Sequence, residues 1–253
     1  GDLSVEHPDS DAAKQLAGLA KAFGNALRPA LRKRGLLTDK PNEKLPTLHV
    51  IFISNNHLLL ASSSANDRSP WPMGIPRLRQ DTRAPSRSAM KLDEALMCLM
   101  TPAERMNLIQ TDMKAADLGA APGGWSWVLA KHHMRISAID NGPLSEEALA
   151  TGLIEHIRAD GFHWQPAKPI DWMVCDMVET PSEVARRMAQ WFANGWCQNA
   201  IFNLKLPMKK RWEETALCLE LFEQQCQKTM LIRAKQLYHD REEITVFARA
   251  LKK

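Results

Sequence analysis

AADLGAAPGGWSWVLAKHHMRISAIDNGP, residues 115–143, sets three glycines and a proline between a short apolar run and a segment of helical character. Asp117 lies at the end of the first run, and Asp140 follows a second apolar run after the helix. By period this is strand, glycine-rich loop, helix, strand. Glycine lets another group approach the backbone with no Cβ in the way, and a helix N-terminus favours negative charge. Such a loop suits a nucleotide-like ligand. Its spacing, DxGxxPGGW, is not the dinucleotide pattern GxGxxG. Asp140, 23 residues after Asp117, would sit at the next strand end and accept bonds from both ribose hydroxyls. An acid there is shared by enzymes that bind NAD and enzymes that bind S-adenosylmethionine. Asp160, in RADGF, ends the next strand. It either caps a turn, as Asp often does, or accepts a bond from an adenine amino group.

Helix and strand alternate outward from that stretch, from about residue 86. SAMKLDEALMCL, GWSWVLAKHHM, SEEALATG, SEVARRMAQWFANG and WEETALCLELFEQQCQ are expected helices; KAADLG, RISAID, IEHIRAD, DWMVCDM and NAIFNLKL are expected strands. MLIRAKQLY and EEITVFARA, with little between them, suggest an antiparallel pair at a sheet edge. The alternation predicts an α/β domain over 86–253 with a mostly parallel, doubly wound sheet, whose ligands bind at the carboxyl ends of the strands. Upstream, Leu16, Leu19, Ala20, Phe23, Leu27 and Leu31 recur at helical spacing within 10–37, and Pro29 is expected to kink or divide that helix. Residues 48–64 suggest two strands joined at Asn55-Asn56. Residues 65–88, with four prolines and five arginines, have no apolar period. The expected layout is a small α+β region over 1–70, a Pro/Arg-rich linker over 71–85, and the α/β domain.

Composition sets wide bounds. An apolar fraction of 45%, a charged fraction of 25% and a net charge of +4 are ordinary for a globular chain; they permit an anionic partner without demanding one. Five cysteines with no CxxC pair fit reduced thiols in a cytoplasmic protein better than a disulfide framework or a zinc site. His132-His133 and His239 have no metal-ligand spacing with acids or thiols, so no metal is expected. No apolar run reaches the length of a membrane span. The first residue is Gly, which suggests a processed chain or a fragment.

DLGAAPGGW resembles the signature of the FtsJ-like ribose 2′-O-methyltransferases, which implies a Rossmann-like fold, S-adenosylmethionine as cofactor and a Lys-Asp-Lys-Glu tetrad. PSRSAMKLDEA matches the family's first helix at Lys91, VCDM its aspartate at Asp176, and FNLKLP its central lysine at Lys205. DREEITVFA matches the last strand at Glu243, with Glu242 the competing alignment. SPWPMGIPRL, NGWC, IFNLKLPMKKRWEE and LYHDREEITV are similar to one branch, the bacterial 23S ribosomal RNA cytidine 2′-O-ribose methyltransferases. Membership would imply a THUMP-like RNA-binding region, here partial over 1–70, and action as a monomer on RNA before subunit assembly. The implied cofactor residues are Ser88, Asp117, Gly119, Ala121, Pro122, Gly123, Gly124, Trp125, Asp140, Asp160 and Asp176.

Those residue types suit that chemistry. A lysine acts as a base only if its pKa falls toward neutrality, through desolvation or a second cation nearby. Lys91 is expected to push Lys205 that way, with Asp176 orienting the base and Glu243 helping Lys91 to position the hydroxyl. Taken singly, a strand lysine can also snorkel to solvent. Arg77, Arg79, Arg83 and Arg87, and Lys209, Lys210 and Arg211 beside Trp212, are candidate contacts to RNA phosphates and a stacked base. The competing readings are an NAD-dependent oxidoreductase, disfavoured by the missing GxGxxG, and a non-catalytic RNA-binding module, disfavoured by the complete set of four.

Overall fold

The computed structural model describes all residues except 41, 43, 66, 252 and 253. What was expected of residue 66, in the Pro/Arg-rich segment, and of 252 and 253 lies outside the described residues. The chain divides into two compact units, Gly1–Pro76 and Arg77–Lys253, the division falling inside the segment 71–85 expected as a linker.

In the first unit, β1 (Asp2–Glu6), β2 (Thr47–Ser54) and β3 (His57–Ser63) form a sheet of that order. β1 runs parallel to β2, and β2 antiparallel to β3 through the Asn55-Asn56 turn. A 3-10 turn, Asp11–Leu16, leads into α1 (Ala17–Lys33). Buried Leu16 and Ala20, with half-buried Phe23 and Leu27, pack against Leu3, Val50 and Phe52. Pro29 does not divide the helix, which continues to Lys33. The proline lies on the exposed side, where the carbonyl it leaves unpaired faces solvent. β1 was not anticipated, because five residues are too few to establish an alternation.

The second unit is built on a seven-stranded sheet. Its strands are β4 (Lys114–Leu118), β5 (Arg135–Ile139), β6 (Ile154–Ile157), β7 (Trp172–Cys175), β8 (Asn199–Lys205), β9 (Met230–Lys235) and β10 (Glu243–Ala250), in the order β6-β5-β4-β7-β8-β10-β9. The first five are mutually parallel, and β10 runs antiparallel to both neighbours. α2 (Ala89–Leu99), α4 (Gly124–Lys131) and α5 (Glu146–Leu149) cover one face of the sheet. α6 (Pro181–Ala193) and α7 (Arg211–Gln225) cover the other, with Phe222 packed edge-on to Phe192 at 5.8 Å. α3 (Pro102–Leu108) was missed, though its capping box is legible in Thr101-Pro102-Ala103-Glu104.

From β4 the chain winds outward through β5 to β6, then crosses back to place β7 on the other side of β4. The loops after β4 and β7 therefore leave in opposite directions and open a crevice at their carboxyl ends. Residue parity then assigns the faces. Even-numbered Ala200, Phe202 and Leu204 of β8 join the α6–α7 core, whereas Ile201, Asn203 and Lys205 point to the α2 side.

Candidate active site

The glycine loop after β4 is crowded by the protein itself. Gly119 has φ +75°, and a Cβ there would stand 2.5 Å from Met177 Cγ. A Cβ on Gly124 would collide with the hydroxyls of Ser86 and Ser88, which are hydrogen-bonded to each other at 2.6 Å. Part of the close approach expected of a ligand is thus made by neighbouring segments. Gly123, packed toward Ala148, starts α4. Trp125 is buried, and its Nε1 donates to the Ser88 carbonyl at 3.0 Å, fastening α4 to the segment that leads into α2.

Two cavities meet at Gly119, Ala121 and Asp176. One, of about 340 Å³, is lined further by Ser86, Ser88, Asp117, Pro122 and Trp125. The other, of about 360 Å³, is lined by Asp140, Asp160, Gly161 and Met177. Asp117 is 1% exposed and accepts from Ser126 Oγ at 2.7 Å; burial pushes its carboxyl up to about 7 against that bond. Asp140 accepts from Gly142 N at 2.7 Å and Ala121 N at 3.0 Å, which locks the β5 end to the glycine loop. Asp160 is exposed and stands beyond β6, which ends at Ile157, rather than at the strand end. It accepts from Phe162 N at 2.8 Å and pairs with His163 Nδ1 at 2.7 Å, and these bonds hold its carboxyl below the usual range. The turn-capping role is therefore present, and the side chain also borders the second cavity.

Across the crevice, the four tetrad candidates converge. Lys205 Nζ, at the end of β8, lies 2.7 Å from Asp176 Oδ1 and in contact with Glu243 Oε2. Lys91 Nζ, reaching from α2, lies 3.1 Å from Glu243 Oε1, 3.3 Å from Asp176 Oδ2 and 2.8 Å from Asp240 Oδ2. Glu243 faces Lys205 directly across the antiparallel β8–β10 pair. It is 1% exposed, whereas Glu242 is 76% exposed, 3.8 Å from Arg211 and outside the cluster.

Two ammonium groups thus face three carboxylates. Burial works against the charge on Lys91, but Asp176, Asp240 and Glu243 outweigh it and hold the amine above the usual lysine range. Burial pushes the Glu243 carboxyl upward, reinforced by Asp176 and opposed by Lys205 and Lys91. Asp240, although burial acts in the other direction, is held below the usual range by Lys91.

Asp240 was not singled out from sequence. Nor was Asn203, whose Nδ2 donates to Asp176 Oδ1 at 2.9 Å and to Glu243 Oε1 at 2.6 Å. Thr245 Oγ1 donates in turn to Asn203 Oδ1 at 2.7 Å. The signal for both was strand period: Asn203 lies two residues before Lys205 on one face, and Thr245 two after Glu243 on the facing strand. Glu94, inside the KLDEA motif and buried, accepts from Tyr238 N at 2.8 Å and His239 N at 3.0 Å. It thereby holds the turn that presents Asp240 to Lys91.

The candidate RNA contacts divide. Arg79, Arg87, Lys209 and Lys210 are exposed, and Trp212 is 78% exposed. Arg77 lies against the Tyr238 ring at 5.4 Å, and Arg83 pairs with Asp81 at 2.9 Å. Arg211 is engaged within the chain, donating to the carbonyls of Pro207 at 3.1 Å and Arg241 at 3.2 Å. It ties the loop after β8 to the turn before β10. Among the described residues, no group of three or more His, Cys, Asp and Glu is placed to hold a metal, and no helix is long and apolar enough to cross a membrane.

Residues 84–246 match the family model described as FtsJ-like methyltransferase. Residues 1–64 match that described as Ribosomal RNA large subunit methyltransferase M, N-terminal. Two curated proteins named Ribosomal RNA large subunit methyltransferase M, from Xanthomonas campestris pv. campestris (strain B100) and Xanthomonas oryzae pv. oryzae (strain KACC10331 / KXO85), are each 67% identical over 248 residues. Each match covers 98% of this chain and 72% of the relative. A solved structure named as a hemolysin from Streptococcus thermophilus superposes with a TM-score of 0.51 over 70% of each chain, at 14% identity, a likeness of fold alone.

Proposed function

We propose, from the premise that this chain belongs to the FtsJ-like methyltransferases and within them to the ribosomal RNA large subunit methyltransferase M family, that it methylates the ribose 2′-hydroxyl of a cytidine in 23S ribosomal RNA, with S-adenosylmethionine as donor. One observation carries the reading: a lysine amine, Lys205 Nζ, held between two carboxylates at the rim of the crevice.

S-adenosylmethionine, when bound, supplies an electrophilic methyl group. The donor set fits such a ligand. Asp140 and Asp160 keep acceptor capacity beyond their present partners for ribose hydroxyls and an adenine amino group, and Ser86 and Ser88 offer hydroxyls to a carboxylate. Gly119, Ala121, Pro122 and Trp125 shape the wall between these groups.

The chain's own residues then handle one proton. The 2′-hydroxyl must lose its proton as its oxygen bonds to the methyl carbon and that carbon's bond to the sulfonium sulfur breaks, the electron pair leaving on a neutral thioether; Lys205 accepts the proton at Nζ. To do so, Lys205 must first give up one ammonium proton to solvent, because only the neutral amine has a lone pair. Glu243, in contact with the amine, holds it from the side opposite Asp176. Asp176 orients the amine, and Lys91 balances the carboxylates. Lys209 and Lys210, on the loop leaving Lys205, together with Arg79 and Arg87, contact RNA phosphates, and exposed Trp212 stacks a base. The first unit, as a partial THUMP-like region, supplies further RNA contacts. The chain works as a monomer in the cytoplasm, on RNA before subunit assembly, and the reading invokes neither a metal nor a membrane.

The test is methyl transfer from labelled S-adenosylmethionine to 23S RNA lacking its modifications, with wild type and Lys205→Ala side by side. Label in the ribose of one cytidine, lost in the variant, is expected. Label on a base, or label retained by Lys205→Ala, overturns the assignment. Absence of both transfer and cofactor binding overturns the function.

A further inference from the structure

Asn203 is an uncharged residue at the centre of a charged cluster, fully buried two positions before the proposed base. Its amide cannot be turned around. The carboxylates of Asp176 and Glu243 only accept, so an amide oxygen aimed at them would bring acceptors together, and only the NH₂ end can face them. The Thr245 hydroxyl, donating to Oδ1 at 2.7 Å from the facing strand, satisfies the other end. Every donor and acceptor of the side chain that the strand pair encloses is thus committed to one orientation.

Asn203 and Lys205 share the same two partners. Asp176 Oδ1 accepts from Lys205 Nζ at 2.7 Å and from Asn203 Nδ2 at 2.9 Å. Glu243 receives Lys205 at Oε2, and Asn203 at Oε1 at 2.6 Å. The amide therefore braces the carboxylates from behind while the amine spans them in front.

Resting on the methyl-transfer reading above, we propose that Asn203 is a positioning residue for the reaction: its two N–H donors fix the Asp176 and Glu243 carboxylates that flank Lys205 and take up part of their hydrogen-bonding demand, and so set the pH above which Lys205 can take the ribose proton. Hydrogen bonds to an ionised carboxylate favour that form over the protonated one. The groups that bear on this balance are Lys91 from α2, Asp117 from β4, Asp176 after β7, Lys205 from β8, Asp240 before β10 and Glu243 on it. Asn203 is the uncharged donor among them, so its removal raises the cluster's affinity for the proton that must leave.

The experiment measures the pH dependence of kcat, the KM for 23S RNA and the Kd for S-adenosylmethionine in wild type, Asn203→Leu, Thr245→Val and the double variant. Asn203→Leu keeps the volume and removes the donors. Its acid limb is expected to move up by about one pH unit, so that kcat at pH values below the limb falls about tenfold. KM and cofactor Kd should stay within about twofold, because the amide touches neither ligand. Thr245→Val, which frees the amide to tilt, should move the limb the same way by less. Added to Asn203→Leu it should do nothing more, because the hydroxyl acts through the amide. An unmoved acid limb in both single variants, or equal and additive losses at all pH values, would overturn the inference. If Asn203→Leu fails to fold by circular dichroism, the Thr245→Val profile decides alone. A wild type that labels no ribose instead sinks the underlying reading, which keeps the two failures apart.

Discussion

The two sides of the crevice use acidic residues in opposite ways. On the β4–β5–β6 side, Asp117, Asp140 and Asp160 are satisfied by a hydroxyl, by backbone N–H groups and by an imidazole. On the β7–β8–β10 side, Asp176, Asp240 and Glu243 are gathered around two lysines and an amide. Carboxylates braced by backbone keep a fixed position and spare lone pairs, which is what recognition of hydroxyls and amines requires. Carboxylates braced by amines exchange influence over protons, which is what a base requires. The strand order makes this separation possible, because the switch between β4 and β7 divides the rim into two banks.

The largest effect should come from the lysine bank. Lys205→Ala is expected to lower kcat about 10²–10⁴-fold while cofactor Kd, by calorimetry, stays within a few-fold. A comparable loss of cofactor affinity would erase the distinction between the banks. Asp140→Ala should do the reverse: cofactor Kd rises about 10–100-fold, and kcat at saturation is largely retained. Glu243→Gln should lower kcat far more than Glu242→Gln, which is expected to stay within about twofold of wild type because Glu242 is 76% exposed and outside the cluster.

A subtler test concerns Asp117, whose carboxyl is held at about 7 by burial. An acid with a raised folded-state pKa binds more protons folded than unfolded between roughly pH 4 and 7, so its contribution to stability falls as pH rises through that window. Asp117→Asn should therefore flatten the decline of Tm between those pH values relative to wild type. The expected gain near pH 8 is on the order of one to a few kcal/mol, reduced by whatever the Ser126 bond loses. An unchanged pH slope in thermal unfolding would show that Asp117 is ionised throughout and belongs with Asp140.

Most of the second unit's elements were legible because their periods are long and clean. α6 repeats apolar residues at helical spacing, and β8 is apolar from Ala200 to Leu204 except at Asn203, with Asn199 and Lys205 at its ends. The tetrad residues were found by resemblance to family motifs. Their periodicity alone would have allowed a snorkelling lysine. Asn203 escaped notice because an amide in an apolar strand has no motif of its own, and its partners come from two other elements. Asp240 escaped because a turn between two late strands carries no period, and Glu94, on α2, because the backbone it holds lies on that distant turn. Pro29 misled because its local rule concerns helix interiors, while its exposed position near the helix end relaxes the cost.

By itself the sequence determined the alternation of strands and helices, the glycine loop and the spacing of the acids, because these follow from local period and backbone freedom. Only the tertiary structure decided which acid meets which amine. The β8–β10 register sets Glu243, not Glu242, opposite Lys205, and α2 brings Lys91 to the same carboxylates from more than eighty residues away. Contacts of that kind depend on strand order and residue parity together, and no local stretch of the chain contains either.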